Sequence, residues 1–231
     1  MNSPHAVLAA LLIPCACLAQ GSPAPLLPDS LLSAQLAEIV RETGLDSTFM
    51  TGEDGPEQIS LAVIDLGTHP ARLGGVHPGN LIYPASVYKM YVGATVLGEI
   101  AGGVHALREP YVVSAPNDVD RGREIPDDPR PLLRAGDTVT VNYLLDLMIT
   151  RSDNSAANCL IDLACREKIN ALIDGYGWQG SEVTRKFLRR KFEPPPYDTI
   201  RGTSTCALHA AEFMICVTVR DRNRSPSWMA P

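Results

Sequence analysis

The sequence predicts an α+β fold that combines a group of helices with a small sheet. Several stretches carry apolar residues at the three- and four-residue spacing of a helix with one buried face. Residues 59–65 instead alternate and are rich in β-branched residues, as strands are. With 231 residues, 45% hydrophobic and 20% charged, the chain can fill one sizeable core or two small lobes that share one.

A helix and two strands are predicted first. Asp29 or Ser30 can cap a helix whose following apolar residues share one face. Residues 59–65 form the first strand, and the glycines and prolines of residues 67–79 predict a turn. This turn leads to a second short strand at residues 81–83.

Six further segments follow, and five of them are predicted helices. A helix begins near Ser86 and ends at Gly102-Gly103, a typical stop signal. Residues 108–137 are rich in Pro, Asp and Arg, which predicts a long surface connection. Thr140 can cap the next helix. Additional helices are predicted at residues 155–164, 168–176 and 207–219.

Residues 1–19 have the character of a secretory signal peptide. An apolar stretch precedes an approximate small-residue cleavage site at residues 17–19. Pro14 disfavours the alternative, a buried N-terminal helix. The surroundings of Cys15 and Cys17 make a poor lipid-attachment motif. We therefore expect a secreted or periplasmic protein without a lipid anchor.

The charge and the cysteines argue against several kinds of partner. The formal net charge is −6 and basic clusters are lacking, which argues against nucleic acid. No apolar run is long enough for a membrane-spanning helix, so we expect no stable membrane insertion. Cys159, Cys165, Cys206 and Cys216 lack the paired spacing of a zinc site, so we expect no metal. In an oxidising compartment they could form one or two disulfides, whose pairing the sequence leaves open.

A candidate nucleophile lies at the head of the second predicted helix. Ser86 and Lys89 are three residues apart, so a helix places them on one face, where hydroxyl and amine can meet. A serine hydroxyl needs a neighbouring base, and a desolvated lysine can serve. Backbone N–H groups and the dipole of the first helical turn favour an oxyanion. Because Ser-x-x-Lys is a common pattern, a helix start with a solvated lysine is the more frequent explanation when the motif stands alone.

A second motif, Ser152-Asp153-Asn154, changes that balance. A polar turn between helices would also explain these three residues. Their flanks, residues 140–158, together with residues 83–89 and the strand before them, resemble the class A β-lactamase family. The resemblance runs from about Ser30 to about Ala211.

The resemblance implies a fold, a chemistry and a set of roles. The fold would be β-lactamase/transpeptidase-like, with an all-helical lobe over about residues 90–205 beside a small antiparallel sheet. Ser86 would attack a β-lactam carbonyl and form an acyl-enzyme, with Lys89 as the base or as a group that orients one. Ser152 would pass a proton to the leaving nitrogen, while Asn154 would bind the substrate side chain and hold Lys89. No cofactor is implied, and we expect a monomer that takes a small-molecule β-lactam.

Two departures from the family pattern affect turnover. The family carries a water-activating glutamate in a Glu-x-x-Leu-Asn pattern; Glu193 is the candidate, although Pro196 and Tyr197 replace Leu-Asn. The alternative for Glu193 is a solvated loop carboxylate. The Lys-Thr/Ser-Gly motif of the family occurs nowhere in this sequence, which continues for 79 residues after Ser152. We therefore expect that the sequence is truncated at its C-terminal end, that the sheet is incomplete and that the activity is impaired.

These inferences divide the chain and define its expected function. We expect a signal peptide (1–19), a linker (20–28), an incomplete class A β-lactamase-like catalytic domain (29–219) and an irregular tail (220–231). The predicted function is hydrolysis of the β-lactam amide through acylation of Ser86. Two alternatives stay open: a peptidoglycan-directed serine peptidase or hydrolase of the same fold, and a non-catalytic secreted fragment or pseudoenzyme. The sequence does not identify which β-lactams or amides are substrates.

Overall fold

A computed structural model describes residues 25–46, 59–120, 128–199 and 202–222, with side chains as far as residue 217. The predicted signal peptide and most of the predicted linker and tail lie outside these ranges. The chain divides into two compact units. Of the described segments, the first, which we call the helical unit, contains residues 85–120, 128–177, 182–199 and 202–203. The second, which we call the sheet unit, contains residues 25–46, 59–84, 178–181 and 204–222.

The sheet unit contains three strands and two helices. In chain order these are β1 (Leu27–Pro28), α1 (Ser30–Glu42), β2 (Leu61–Asp65), β3 (Arg72–Val76) and α6 (Ala207–Arg222). The strand order is β1-β3-β2, with β1 parallel and β2 antiparallel to β3. Helix α1 packs on β3 and α6 packs on β2. Among the described residues, Val40, Trp178 and Phe213 are buried in this unit.

Close packing of α1 on the sheet requires a glycine. A Cβ atom at Gly74 would lie 2.4 Å from Leu32 Cγ, so any side chain there would push the helix away. The start of α1 is fixed by Asp29, whose carboxylate accepts the Leu32 N–H at 2.9 Å, as the sequence predicted. Local capping and a small residue in the strand together set the position of this helix.

The second strand differs from the prediction. Residues 59–65 were predicted as a strand and contain β2, but β3 occupies residues 72–76, inside the predicted turn. Gly74 and Gly75 gave this segment the composition of a turn, although they serve close packing. Residues 81–83 contribute a single bridge, from Ile82 to Thr205.

The helical unit contains four α-helices and a short two-stranded sheet. A 3₁₀ helix, Ala85–Tyr88, leads directly into the elements α2 (Lys89–Ala101), β4 (Pro110–Val112), β5 (Thr138–Thr140), α3 (Val141–Thr150), α4 (Asn154–Ala164) and α5 (Arg166–Gly175). Helix α4 packs against the other three helices, so it is the central element. Its neighbours α2 and α3 contribute four completely buried side chains: Val92, Val96, Leu144 and Leu147.

The predicted surface connection over residues 108–137 is only partly at the surface. It begins and ends in the paired strands β4 and β5. Val113 and Leu133 are buried, and so are the polar side chains of Asn117 and Asp120. Polar loop residues can be buried when they are hydrogen-bonded, which a compositional reading does not detect.

The described residues contain four free thiols, of which Cys165 is exposed while Cys159, Cys206 and Cys216 are buried. The disulfides that the sequence allowed are therefore not formed between these four cysteines. None of the described helices is long and apolar enough to cross a membrane.

Candidate active site

Ser86 and Lys89 lie on either side of the junction between the 3₁₀ helix and α2. Ser86 is in the 3₁₀ helix and is exposed, so its hydroxyl is accessible to a ligand. Lys89 is the first residue of α2 and is only 3% exposed. One turn of helix thus carries an accessible hydroxyl and a buried amine.

The Lys89 amine donates hydrogen bonds to three oxygens that follow α3. Its Nζ lies 2.7 Å from the Ser152 carbonyl oxygen, 3.0 Å from Ser152 Oγ and 2.8 Å from Asn154 Oδ1. These bonds span more than sixty residues of sequence, and they bring both predicted motifs to one point. An ammonium group has three protons, so its charged form satisfies all three acceptors.

Ser152 joins the lysine to the candidate nucleophile. Its Oγ accepts from Lys89 and donates to Ser86 Oγ at 2.8 Å. Ser152 therefore links Ser86 to Lys89. A three-membered chain of donors and acceptors results, from amine to hydroxyl to hydroxyl.

The turn between α3 and α4 holds Ser152 in an uncommon conformation. Its φ is 56°, in the left-handed region that few non-glycine residues adopt. This conformation directs both the carbonyl oxygen and the hydroxyl of the same residue to Lys89. Strained residues of this kind persist where the surrounding structure fixes them.

Asp153 and Arg151 form that surrounding structure. The Asp153 carboxylate caps α4 by accepting the Ala156 N–H at 2.7 Å, and it is fully buried. The Arg151 guanidinium donates to the same carboxylate at 2.9 Å and to the Arg130 carbonyl oxygen at 2.9 Å. Asp153 therefore supports the turn, whereas Ser152 and Asn154 accept hydrogen bonds from Lys89.

Asp120 also belongs to the site, although no motif in the sequence marks it. Its carboxylate accepts hydrogen bonds from Asn154, at 2.7 Å from the backbone N and at 3.0 Å from Nδ2. Asp120 is 7% exposed and lies in the segment predicted as a surface connection. The pairing spans 34 positions, so only tertiary structure reveals it.

Glu193 belongs to a different network. Its side chain is fully buried, so it is not the solvated carboxylate considered as the alternative. One oxygen accepts the Lys186 N–H at 2.6 Å, and the other pairs with the Arg166 guanidinium. The Arg166 guanidinium also lies 4.1 Å from the centre of the Tyr197 ring. These contacts tie residues 186–199, which we call the anchored loop, to α5.

A hydrogen bond from the Tyr197 hydroxyl to the Glu167 carboxylate continues this network. The bond lowers the pKa of Glu167 because it stabilises the carboxylate, and it raises the pKa of Tyr197 because it stabilises the protonated hydroxyl. Two residues of the anchored loop, Glu193 and Tyr197, thus make polar contacts with α5.

Asn158 holds the beginning of the anchored loop. Its Oδ1 accepts the Phe187 N–H at 2.8 Å, and its Nδ2 donates to the Phe187 carbonyl oxygen at 3.3 Å. Asn158 follows Asn154 by one turn of α4, so both amides lie on the same face of that helix. The Phe187 residue is 50% exposed at this position.

The arrangement has the parts that acyl transfer needs. Ser86 supplies an accessible hydroxyl, Ser152 a second hydroxyl, Lys89 an amine and Asn154 an amide. The described residues contain no group of three or more His, Cys, Asp or Glu side chains that could hold a metal ion.

Comparisons with known proteins agree with the fold and the motifs. A sequence profile described as "Beta-lactamase enzyme family" matches residues 41–226, which is 186 of the 231 residues. The chain therefore belongs to the β-lactamase enzyme family, as its motifs predicted. No curated protein sequence matches the chain significantly.

Solved structures share the fold at low identity. The structure of PBP-A is 17% identical with a TM-score of 0.62, covering 88% of this chain and 69% of that one. An ancestral class A β-lactamase is 22% identical with a TM-score of 0.59, covering 83% and 68%. The β-lactamase of Sphaerobacter thermophilus is 23% identical with a TM-score of 0.51, covering 66% and 54%. The chain thus spans between half and about two thirds of these structures, and the predicted β-lactamase/transpeptidase-like α+β fold is confirmed.

Proposed function

We propose that the chain is a serine hydrolase that β-lactams acylate on Ser86. The observation that carries this proposal is the chain of contacts from Ser86 Oγ through Ser152 Oγ to Lys89 Nζ, at 2.8 Å and 3.0 Å. It supplies a nucleophile together with a path for its proton. The N-terminal end of the helical segment around Ser86 favours the negative charge that develops on the attacked carbonyl oxygen.

The same contacts support both halves of the acylation step. When Lys89 is a neutral amine, the Ser86 proton passes to Ser152 and the Ser152 proton passes to Lys89 as the C–O bond forms. When the β-lactam C–N bond breaks, the resulting ammonium returns a proton through Ser152 to the leaving nitrogen. Asn154 Oδ1, at 2.8 Å from Nζ, keeps Lys89 in line during both transfers.

Release of the acyl group is the step that separates two functions. A general base must reach a water molecule, but the Glu193 carboxylate is fully buried and paired with Arg166 and the Lys186 N–H. This burial favours a second candidate, an enzyme that forms a long-lived acyl adduct with β-lactams and whose own substrates are peptidoglycan-like amides. A fast hydrolase and a slow one share the Ser86 chemistry and differ only in the lifetime of the adduct.

Mass spectrometry and turnover distinguish these functions. A penicillin should add its mass to the peptide that contains Ser86, and Ser86→Ala should abolish the adduct. Ser114→Ala is the matched control, since Ser114 lies in the same unit and bonds Asn117 instead. A coloured cephalosporin then reports turnover: sustained hydrolysis supports a β-lactamase, whereas a burst of about one equivalent supports the second candidate. An adduct that survives Ser86→Ala would refute the proposal.

Export and a monomeric state complete the proposal. The composition of residues 1–19 supports secretion or transfer to the periplasm. Cell fractionation with an antibody to the chain tests the location, and light scattering of the purified protein tests the monomer.

A further inference from the structure

Asp120 holds Asn154 by two hydrogen bonds that fix the direction of its side-chain amide. Asp120 Oδ2 accepts the Asn154 backbone N–H at 2.7 Å, and Oδ1 accepts the side-chain N–H at 3.0 Å. The other end of the same amide, Oδ1, accepts from Lys89 at 2.8 Å. Asn154 is therefore held between a carboxylate and an amine.

Charge makes the opposite orientation of the amide unfavourable. Rotating the Asn154 amide by half a turn would place its oxygen against the Asp120 carboxylate and its NH₂ group against the Lys89 ammonium. Both contacts would be repulsive, whereas both are attractive in the observed orientation. The carboxylate also polarises the amide, which makes Oδ1 a stronger acceptor for Lys89.

We propose that Asp120 is a positioning residue for acyl transfer, acting through Asn154 to hold Lys89 in line with Ser152. This inference rests on the proposed acylation of Ser86. The contribution of Asp120 is the placement of Asn154 and, through it, of the amine.

A purely structural role is the competing explanation. Asn154 is the first residue of α4, so the Asp120 carboxylate also satisfies one of the unpaired N–H groups at that helix end. The loop itself has a separate attachment, because Ser155 Oγ accepts the backbone N–H groups of Val119 at 2.9 Å and of Asp120 at 3.2 Å. Removal of the Asp120 side chain should therefore leave the loop in place.

A double-mutant cycle separates the two explanations. We would measure the rate constant for labelling of Ser86 by a fluorescent penicillin in the full chain carrying Asp120→Ala, Asn154→Ala or both, corrected for the folded fraction. Asp120→Ala should slow labelling roughly tenfold, as expected for loss of a hydrogen bond to a charged group. In the Asn154→Ala background, Asp120→Ala should have no further effect. Asp120→Asn, which keeps one acceptor oxygen, should be intermediate.

Asp118→Ala is the matched control. Asp118 is also buried in this loop, and its carboxylate accepts the Ala135 N–H at 3.2 Å. It should lower the melting temperature as Asp120→Ala does, while labelling of the folded protein stays unchanged. Equal losses of rate in both variants, or additive effects in the cycle, would overturn the positioning role.

NMR provides a readout that does not depend on acylation. The side-chain NH₂ signals of Asn154 should shift and exchange faster with water in Asp120→Ala but keep their wild-type values in Asp118→Ala. Unchanged Asn154 signals in Asp120→Ala would contradict the inference, whatever the labelling result. Failure of wild-type Ser86 to react would instead refute the proposed function.

Discussion

Replacement of Glu193 by Gln tests whether this carboxylate is an anchor or a catalytic base. The change removes the negative charge while the side chain keeps its size and an oxygen for the Lys186 N–H. It leaves the Arg166 guanidinium, whose side chain is 8% exposed, without its buried counter-ion. We therefore expect loss of stability, and we expect the folded protein to react as before.

The magnitude follows from burial. Removal of one partner from a buried ion pair costs about 3–5 kcal/mol, because the other charge is left uncompensated. The Tyr197 ring, 4.1 Å from the Arg166 guanidinium, offsets part of this cost by about 1 kcal/mol. The expected loss is about 3 kcal/mol, which for a chain of this length lowers the melting temperature by about 6–12 °C.

Glu38→Gln is the matched control. Glu38 pairs with Arg41 on α1, but their side chains are 49% and 63% exposed. Exposed pairs contribute about 0.2–1 kcal/mol, so this variant should unfold within a few degrees of the wild type. The contrast between the two variants isolates burial as the cause.

Calorimetry and stopped-flow measurements with a coloured cephalosporin complete the test. In Glu193→Gln, the melting temperature should fall while the burst and the steady phase of the folded protein keep their rates. A steady phase that slows many-fold at unchanged melting temperature would show that Glu193 activates water, and the anchor interpretation would be wrong.

Three further predictions concern the thiols, helix α1 and the anchored loop. Iodoacetamide at pH 8 should alkylate exposed Cys165 and spare Cys159, because burial raises the pKa of the Cys159 thiol to about 12; peptide mapping checks this, and equal labelling would contradict it. The Leu32 N–H lowers the pKa of Asp29, so the Asp29 carboxylate should stabilise the fold above about pH 4 and lose this effect as the pH falls through the lowered pKa. The free energies of urea unfolding of the wild type and of Asp29→Asn should therefore converge in acid. Asn158→Ala removes both hydrogen bonds to the anchored loop, so it should lower the free energy of unfolding by about 2 kcal/mol and speed proteolysis inside that loop. An unchanged rate of cleavage would show that these two hydrogen bonds are dispensable.

The helices could be predicted from the sequence because their signals are local. Thr140 caps α3 by accepting the Tyr143 N–H at 3.2 Å, and α2 ends at the Gly102-Gly103 pair. Each of these signals lies within a few residues of the boundary that it sets. The strands were harder to predict: β1 has only two residues, and β3 is rich in glycine, so neither has the alternating pattern of a strand.

The candidate active site could be predicted in part. Ser86, Lys89, Ser152 and Asn154 belong to two motifs that a reader of sequence can find, and the structure brings all four together. The supporting contact of Asp120 could not be found, because one carboxylate in an acidic, proline-rich segment has no distinguishing pattern. The same limitation applied to Glu193, whose partner Arg166 lies 27 positions away.

The left-handed conformation of Ser152 has an evolutionary consequence. A non-glycine residue in that region costs roughly 1–3 kcal/mol, and glycine would remove the strain. The buried amine of Lys89, 3% exposed, is costly in the same way, and an apolar side chain of similar length would remove that cost. The two substitutions that would most readily stabilise this region are thus the ones that would remove the proposed proton path. Selection for stability alone would therefore favour loss of the motif, whereas selection for the proposed reactivity would preserve it at a cost in thermal stability.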